Sequence, residues 1–161
     1  MIDSPETSER LVALIRGGEG QRVEFKRSLR QLRRALEALC GMLNANGGEA
    51  LVVFGVGPDG QVVGIEPANL ESARRSLRRA VDNNIRPTLR AEVNLADLDG
   101  STLVVLSATR PPDVPLYECA GQAWIRVGSQ TLRMNAFERI ALAKRHGTTA
   151  SGDVEEGRGG P

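Results

Sequence analysis

Residues 44–65 read NANGGEALVVFGVGPDGQVVGI, and the order of chemistries along that stretch decides the architecture. Asn44, Asn46, Gly47 and Gly48 are the residue types that enter the left-handed backbone region where helices end. Ala50 to Val56 is a continuous apolar run, the signature of a strand covered on both faces. Pro58-Asp59-Gly60 is turn chemistry, and Gln61 to Ile65 is expected to return as a second strand and close a hairpin.

Working outward, Leu29, Leu32, Leu36, Leu39, Cys40 and Leu43 recur at helical spacing up to the asparagines. Before them Gln21 to Lys26 alternates apolar and charged residues, a strand with Glu24 and Lys26 expected on its outer face. Ser4-Pro5-Glu6-Thr7 reads as an N-cap with proline at the first helical position. The helix it starts carries Leu11, Leu14 and Ile15 on one face and should stop at Gly17-Gly18. Downstream, Leu70, Ala73, Leu77 and Val81 mark a third helix. Leu89 to Leu98 and Thr102 to Ala108 form a hairpin around Asp99-Gly100, Trp124 to Val127 is one more strand, and Ala136 to Arg145 is a last helix. The expectation is an α/β domain of the α+β type, a mixed and largely antiparallel sheet with hairpins packed against three to four helices. That domain spans residues 1–146. The remainder, 147–161, is Gly-rich and polar with nothing to bury, and is expected to be a disordered tail.

Composition bounds the function. Of 161 residues 40% are hydrophobic and 25% charged, an ordinary globular balance, and aromatics are so few at 3% that the core must be aliphatic. No run reaches the roughly 18 apolar residues of a membrane span, and MIDSPETSER lacks the basic and apolar regions of a signal peptide, so no membrane association and a cytoplasmic location are expected. Cys40 falls on an apolar helix face and reads as a buried free thiol. With Cys119 far away and His146 the only histidine, spacing assembles no zinc ligand set. The net charge of +1 hides an asymmetry: between Arg16 and Arg90 stand thirteen basic and eight acidic residues. Any site for a polyanion belongs to this half.

Two phosphate-binding patterns fall on the same loop and both fail. Gly55-Val56-Gly57-Pro58-Asp59-Gly60 matches G-x-G-x-x-G, but the dinucleotide fingerprint needs a helix to begin at the loop, and Gln61 to Ile65 is not one. The same residues satisfy G-x-x-x-x-G, yet Gln61 and Val62 stand where a nucleotide-binding loop needs lysine and a hydroxyl. No organic cofactor is expected. The basic clusters carry more. Lys26, Arg27, Arg30, Arg33 and Arg34 surround the start of the second helix, and Arg74, Arg75, Arg78 and Arg79 gather at i, i+4 spacing on the third. Like charges gathered in this way repel unless a polyanion lies across them, and the planar fork of arginine suits phosphate oxygens. Glu19 and Glu24 could converge on a divalent cation beside Lys26.

The series Glu19-x4-Glu24-Phe25-Lys26-x-Ser28, Leu43-Asn44-Ala45-Asn46-Gly47-Gly48 and Leu51-Val52-Val53-Phe54-Gly55-Val56, with Asp59-Gly60 and Val63-Gly64-Ile65, resembles the Schlafen AlbA-type domain. Ile85-Arg86-Pro87, Pro115-Leu116-Tyr117 and Trp124 to Thr131 resemble its later blocks, so the likeness covers about residues 5–145. The resemblance implies a compact module that binds nucleic acid, found in bacterial regulators and in Schlafen proteins, some of which cut tRNA or rRNA with a metal-binding trio of two glutamates and an aspartate. Glu19 and Glu24 match the glutamates. The family's acidic position falls on Gly57 and Pro58, leaving Asp59 as the nearest carboxylate.

The leading expectation is a domain that grips the phosphate backbone of DNA or RNA through Lys26, Arg27, Arg30, Arg74, Arg75, Arg78, Arg79, Arg126 and Ser129, and that needs no cofactor to bind. Arg126 is expected on the outward side of its strand, with Ser129 beyond it. The alternative is a nuclease in which Glu19, Glu24 and Asp59 are catalytic and Glu19 and Glu24 hold Mg2+ or Mn2+. A protein-interaction adaptor is the third. Larger Schlafen proteins carry the module twice, which implies a homodimer here.

Overall fold

The computed structural model describes the backbone of residues 5–155 and the side chains of residues 8–147. Among the described residues four α-helices and eight strands follow in the order α1 (Pro5–Gly17), β1 (Val23–Lys26), α2 (Leu32–Asn44), β2 (Glu49–Phe54), α3 (Leu70–Asn84), β3 (Ile85–Arg86), β4 (Glu92–Leu98), β5 (Ser101–Thr109), β6 (Glu118–Cys119), β7 (Gln122–Val127), β8 (Gln130–Arg133) and α4 (Ala136–Glu155). The strands form two four-stranded sheets, β1-β2-β5-β4 and β3-β6-β7-β8. The first is mixed, since β1 runs parallel to β2 while β5 is antiparallel to both β2 and β4. This is the α+β architecture that the hydrophobic patterning leads one to expect.

The apolar run 50–56 supplies β2, and its two edges are taken by β1 and β5. That occupancy corrects the expected hairpin. Gln61 to Ile65 forms no strand of the sheet: it makes an isolated bridge from Val62 to Val56 and runs on as a loop, with Val63 N–H bonded to Gly55 O and Ile65 N–H to Thr102 O of β5. Gly55, at φ 101, permits this path, because a Cβ there would stand 2.8 Å from Leu103 Cδ2. The hairpin around Asp99-Gly100 is present, joining β4 to β5 with both turn residues at positive φ.

α2 is the hub. Its stripe of Leu36, Leu39, Cys40 and Leu43 packs with Val52 and Phe54 of the first sheet and with Tyr117 and Cys119 beside the second. Each such leucine contributes about 1.5–3 kcal/mol by leaving water. Gly41 lets the helix lie against β7, where a Cβ would meet the Ile125 carbonyl carbon and Arg126 N at 3.2 Å. Asn44 is fully buried and ties the helix end to the second sheet: its Nδ2 donates to Tyr117 O and Trp124 O, and its Oδ1 accepts from Tyr117 N. α1 covers the other face of the first sheet with Leu11 and Ile15. Cys40 and Cys119 are both buried and free.

At the ends of the chain, α1 stops at Gly17 as expected, and the Ser4 cap lies outside the described residues. α4 continues to Glu155, past the expected end at Arg145, so the segment read as a tail begins within this helix.

Candidate functional site

The conformation of residues 18–26 sets the geometry. Leaving α1, the chain passes Gly18 at φ 79 and folds back so that Gly20 N–H reaches Val23 O at 3.0 Å. Two long-range clamps then hold it against β7. Gln21 donates through Nε2 to Arg126 O at 2.6 Å and accepts from Gly128 N at 2.9 Å. Arg126 reaches back beneath the segment and donates to Gly20 O, Val23 O and Thr131 Oγ1. This corrects the expectation for Arg126: it is 3% exposed, consumed by internal partners, and offers nothing to a ligand. Its strand carries Trp124 into the main core on one side and Ala123 into the α4 cluster on the other. With both faces covered, alternation does not mark an outward side.

The clamps bring Glu19 and Glu24 together. Glu19 Oε1 accepts the Phe25 N–H at 2.9 Å. Burial pushes its carboxyl above the ordinary value; the Phe25 N–H pulls it back, neighbouring Glu24 adds to the rise, and Arg126 and Lys26 oppose it. Glu24 is 8% exposed rather than outward. Its Oε1 pairs with Lys26 Nζ at 3.2 Å, and its Oε2 faces Arg126 Nη1 at 2.5 Å, a charge contact without a well-aligned hydrogen bond. Both of its oxygens are thus already neutralised, and Lys26 is not free for a ligand.

Glu19, Glu24, Arg27, Arg30 and Pro58 line a recess of about 400 Å3. Asp59 is not among its walls. It is exposed, and its Oδ1 accepts Gln61 N at 3.1 Å to close its own turn. Gly57 leaves the space that this carboxylate and the Arg27 guanidinium border, since a Cβ there would sit 2.9 Å from Asp59 Oδ1 and 3.3 Å from Arg27 Nε. Among the described residues no three His, Cys, Asp or Glu side chains gather to hold a metal ion. The donor set therefore does not fit a divalent cation: one carboxylate is saturated by two cationic side chains, and the expected third acid is spent on its turn.

Arg27, Ser28 and Arg30 form the shared wall between this recess and a larger cavity of about 690 Å3. Ser28 shapes the wall by capping the short 3-10 turn Leu29–Gln31 with an Oγ to Arg30 N bond of 3.3 Å. Across the larger cavity stands the start of α3, with Asn69, Ser72, Ala73 and Ser76. Arg27 and Arg30 are exposed and, among the described residues, make no ion pair. Arg33 pairs with Glu37. The α3 cluster is divided by the helix: Arg74 is drawn to Glu71 at 3.8 Å, while Arg75 and Arg79 follow Ser72 and Ser76 at i, i+3 spacing and Arg78 lies farther round. None of these four arginines lines either cavity, nor does Ser129, which sits exposed in the β7–β8 turn. Sequence reasoning missed Ser72, Ser76 and the Gln21 clamp; the i, i+4 pair of small polar residues beside buried Ala73 is the one signal that could have shown part of this wall.

A scan against family models matches the Schlafen, AlbA_2 family over residues 19–135. A search of curated proteins finds no match. Among solved structures, the chain is similar to the DIP2311 protein from Corynebacterium diphtheriae, with a TM-score of 0.58 and 16% identity over 88% of this chain and 29% of that one. It is also similar to the solution structure of the N-terminal domain of a RecG-related protein from Nitrosomonas europaea, with a TM-score of 0.54 and 22% identity over 80% of this chain and 93% of that one. This chain thus spans under a third of the DIP2311 protein but nearly all of the RecG-related domain. At these identities the structures show a shared fold; the family match covers more than half of the chain, including both glutamates and the β2 strand, and the chain belongs to the Schlafen AlbA_2 family.

Proposed function

We propose that this domain binds nucleic acid by its phosphate backbone, with Arg27 and Arg30 as the central contacts and Arg75 and Arg79 flanking them. The observation that carries the reading is a pair of exposed arginines that form no ion pair among the described residues, on the wall between two adjoining cavities. Exposed cations outside any ion pair are disposed for an anion, and counterions released from phosphates would drive the association. Family membership supports it, as does likeness to a domain from a protein described as related to the ATP-dependent DNA helicase RecG.

The test is incubation of the whole chain with labelled tRNA, single-stranded DNA and duplex DNA, in Mg2+, Mn2+ or EDTA, reading binding and cleavage on the same samples. Binding that persists in EDTA, weakens steeply with salt and leaves the substrate intact is the expected outcome. Metal-dependent cleavage abolished by Glu24→Ala would replace this reading with a nuclease. No binding at low salt would favour an adaptor that contacts protein instead.

The homodimer belongs to the same reading. Phe137 and Ile140 of α4 are 87% and 55% exposed, large apolar surfaces that a second copy would cover. A monomeric mass by light scattering at micromolar concentration would remove it. A cytoplasmic location is likewise proposed; among the described residues no helix is long and apolar enough to cross a membrane.

A further inference from the structure

The larger cavity differs in chemistry from the recess beside it. Its cations, Arg27 and Arg30, belong to the wall it shares with the recess. Its interior is apolar, from Leu29, Leu32, Ile65 and Ala73, and is edged by Asn69, the hydroxyls of Ser72 and Ser76, and the exposed Glu66 carboxylate, an acceptor suited to a base N–H and not to a phosphate. At about 690 Å3 it falls in the range of pockets that hold one small organic ligand, about 300–1,000 Å3. Phosphate alone does not account for it, because a phosphate needs donors and gains nothing from four aliphatic side chains. An acidic peptide would leave the aliphatic floor unmatched as well. A flat group with apolar faces and hydrogen-bonding edges, joined to a phosphate, matches both the walls and the mouth.

We propose that this cavity receives one unstacked nucleobase, with its adjoining phosphates on Arg27 and Arg30, so that the ligand is a single-stranded or looped segment of nucleic acid. The inference rests on the phosphate-binding reading and extends it. A base inside a duplex has its edges paired and its faces stacked, and it would have to leave the helix to enter. No aromatic side chain lines the cavity, so the base lies between aliphatic groups and a guanidinium plane rather than on an aromatic platform. Ser72 Oγ already donates to Asn69 O and is oriented by it; Ser76 stands one turn further along the same face of α3.

The experiment compares, on the wild-type chain at low salt, an oligothymidylate of about twelve nucleotides with an abasic phosphodiester oligomer of equal length, and repeats both with Ser76→Leu. Ser76 is exposed, so the larger aliphatic side chain occupies the cavity without entering the core and offers no ring on which a base could stack. Expected is a wild-type preference of about tenfold or more for the oligothymidylate, abolished in Ser76→Leu. Equal wild-type affinity for the two oligomers would overturn the base pocket and leave backbone binding standing. A preference that survives Ser76→Leu would overturn it too, by moving the base elsewhere. If neither oligomer binds, the proposal and the reading beneath it fall together.

Discussion

Two residues at the site illustrate how burial changes the role of a charge. Arg126 is buried against Glu24, so Arg126→Ala should leave a carboxylate oxygen and two backbone carbonyls short of a partner. Breaking a buried pair from one side costs about 3 kcal/mol or more. Chemical denaturation of the variant should show a loss of this size, and a loss below about 1 kcal/mol would mean that the pair is not structural. Glu19 makes a prediction in pH. Its carboxyl is raised in the folded state, so between the unfolded and folded values the native protein binds more protons, and stability falls as pH rises through that window. Glu19→Gln keeps an acceptor for Phe25 N–H and removes the titration. The melting temperature of the variant should therefore gain on wild type as pH rises above the ordinary glutamate value; a constant difference would contradict the burial account. At this scale the sequence is legible for Glu19 and Glu24 through their spacing and opaque for Arg126. The partners of its guanidinium lie about a hundred residues away, and no local pattern records them.

Among the elements, α2 carries the tightest constraints. Gly41→Ala raises helix propensity by about 1 kcal/mol, but the new methyl would press on β7 backbone at 3.2 Å, and backbone cannot swing aside. The close approach should win, with a net loss of about 1–3 kcal/mol in denaturant unfolding. A neutral or stabilised variant would show that α2 and β7 have room to separate. β2 is readable from composition because a strand with both neighbours in place and both faces covered must be continuously apolar. The 61–65 segment misleads because Val62 and Ile65 are apolar for another reason: in a loop rather than a strand they pack against the two core clusters, which mimics strand alternation. The short strands β3, β6 and β8 escape sequence reading, since two to four residues give alternation too little length to register.

For the molecule as a whole, the distribution of charge matters more than its net value. The basic excess in residues 16–90 is real, but the fold spends much of it internally: Lys26 on Glu24, Arg33 on Glu37, Arg74 on Glu71. Exposed arginines that form no ion pair among the described residues include Arg27, Arg30, Arg34, Arg75, Arg78 and Arg79, and of these Arg27 and Arg30 line the two cavities. Replacing Arg27 and Arg30 together by alanine should lower the slope of log affinity against log salt by about two, one for each phosphate that the variant no longer neutralises. Salt titrations by fluorescence anisotropy measure it, and an unchanged slope would place the binding surface elsewhere. Composition points to a basic half; it has no means of saying which arginines are spent on neighbouring carboxylates, because that depends on how strands and helices meet in space.

The bond from Arg126 to Glu24 joins β7 of one sheet to β1 of the other, and it makes cation uptake an exchange reaction. A divalent ion gripping both oxygens of the Glu24 carboxylate would displace Lys26 from Oε1 and, from Oε2, a guanidinium that welds the two layers, so occupancy and cohesion compete for the same group. An ion that binds only the native state ordinarily raises the melting temperature. Here Mg2+ or Mn2+ should leave it unchanged or lower it, and a clear rise on thermal scanning would show that the carboxylate can serve the ion without releasing the arginine.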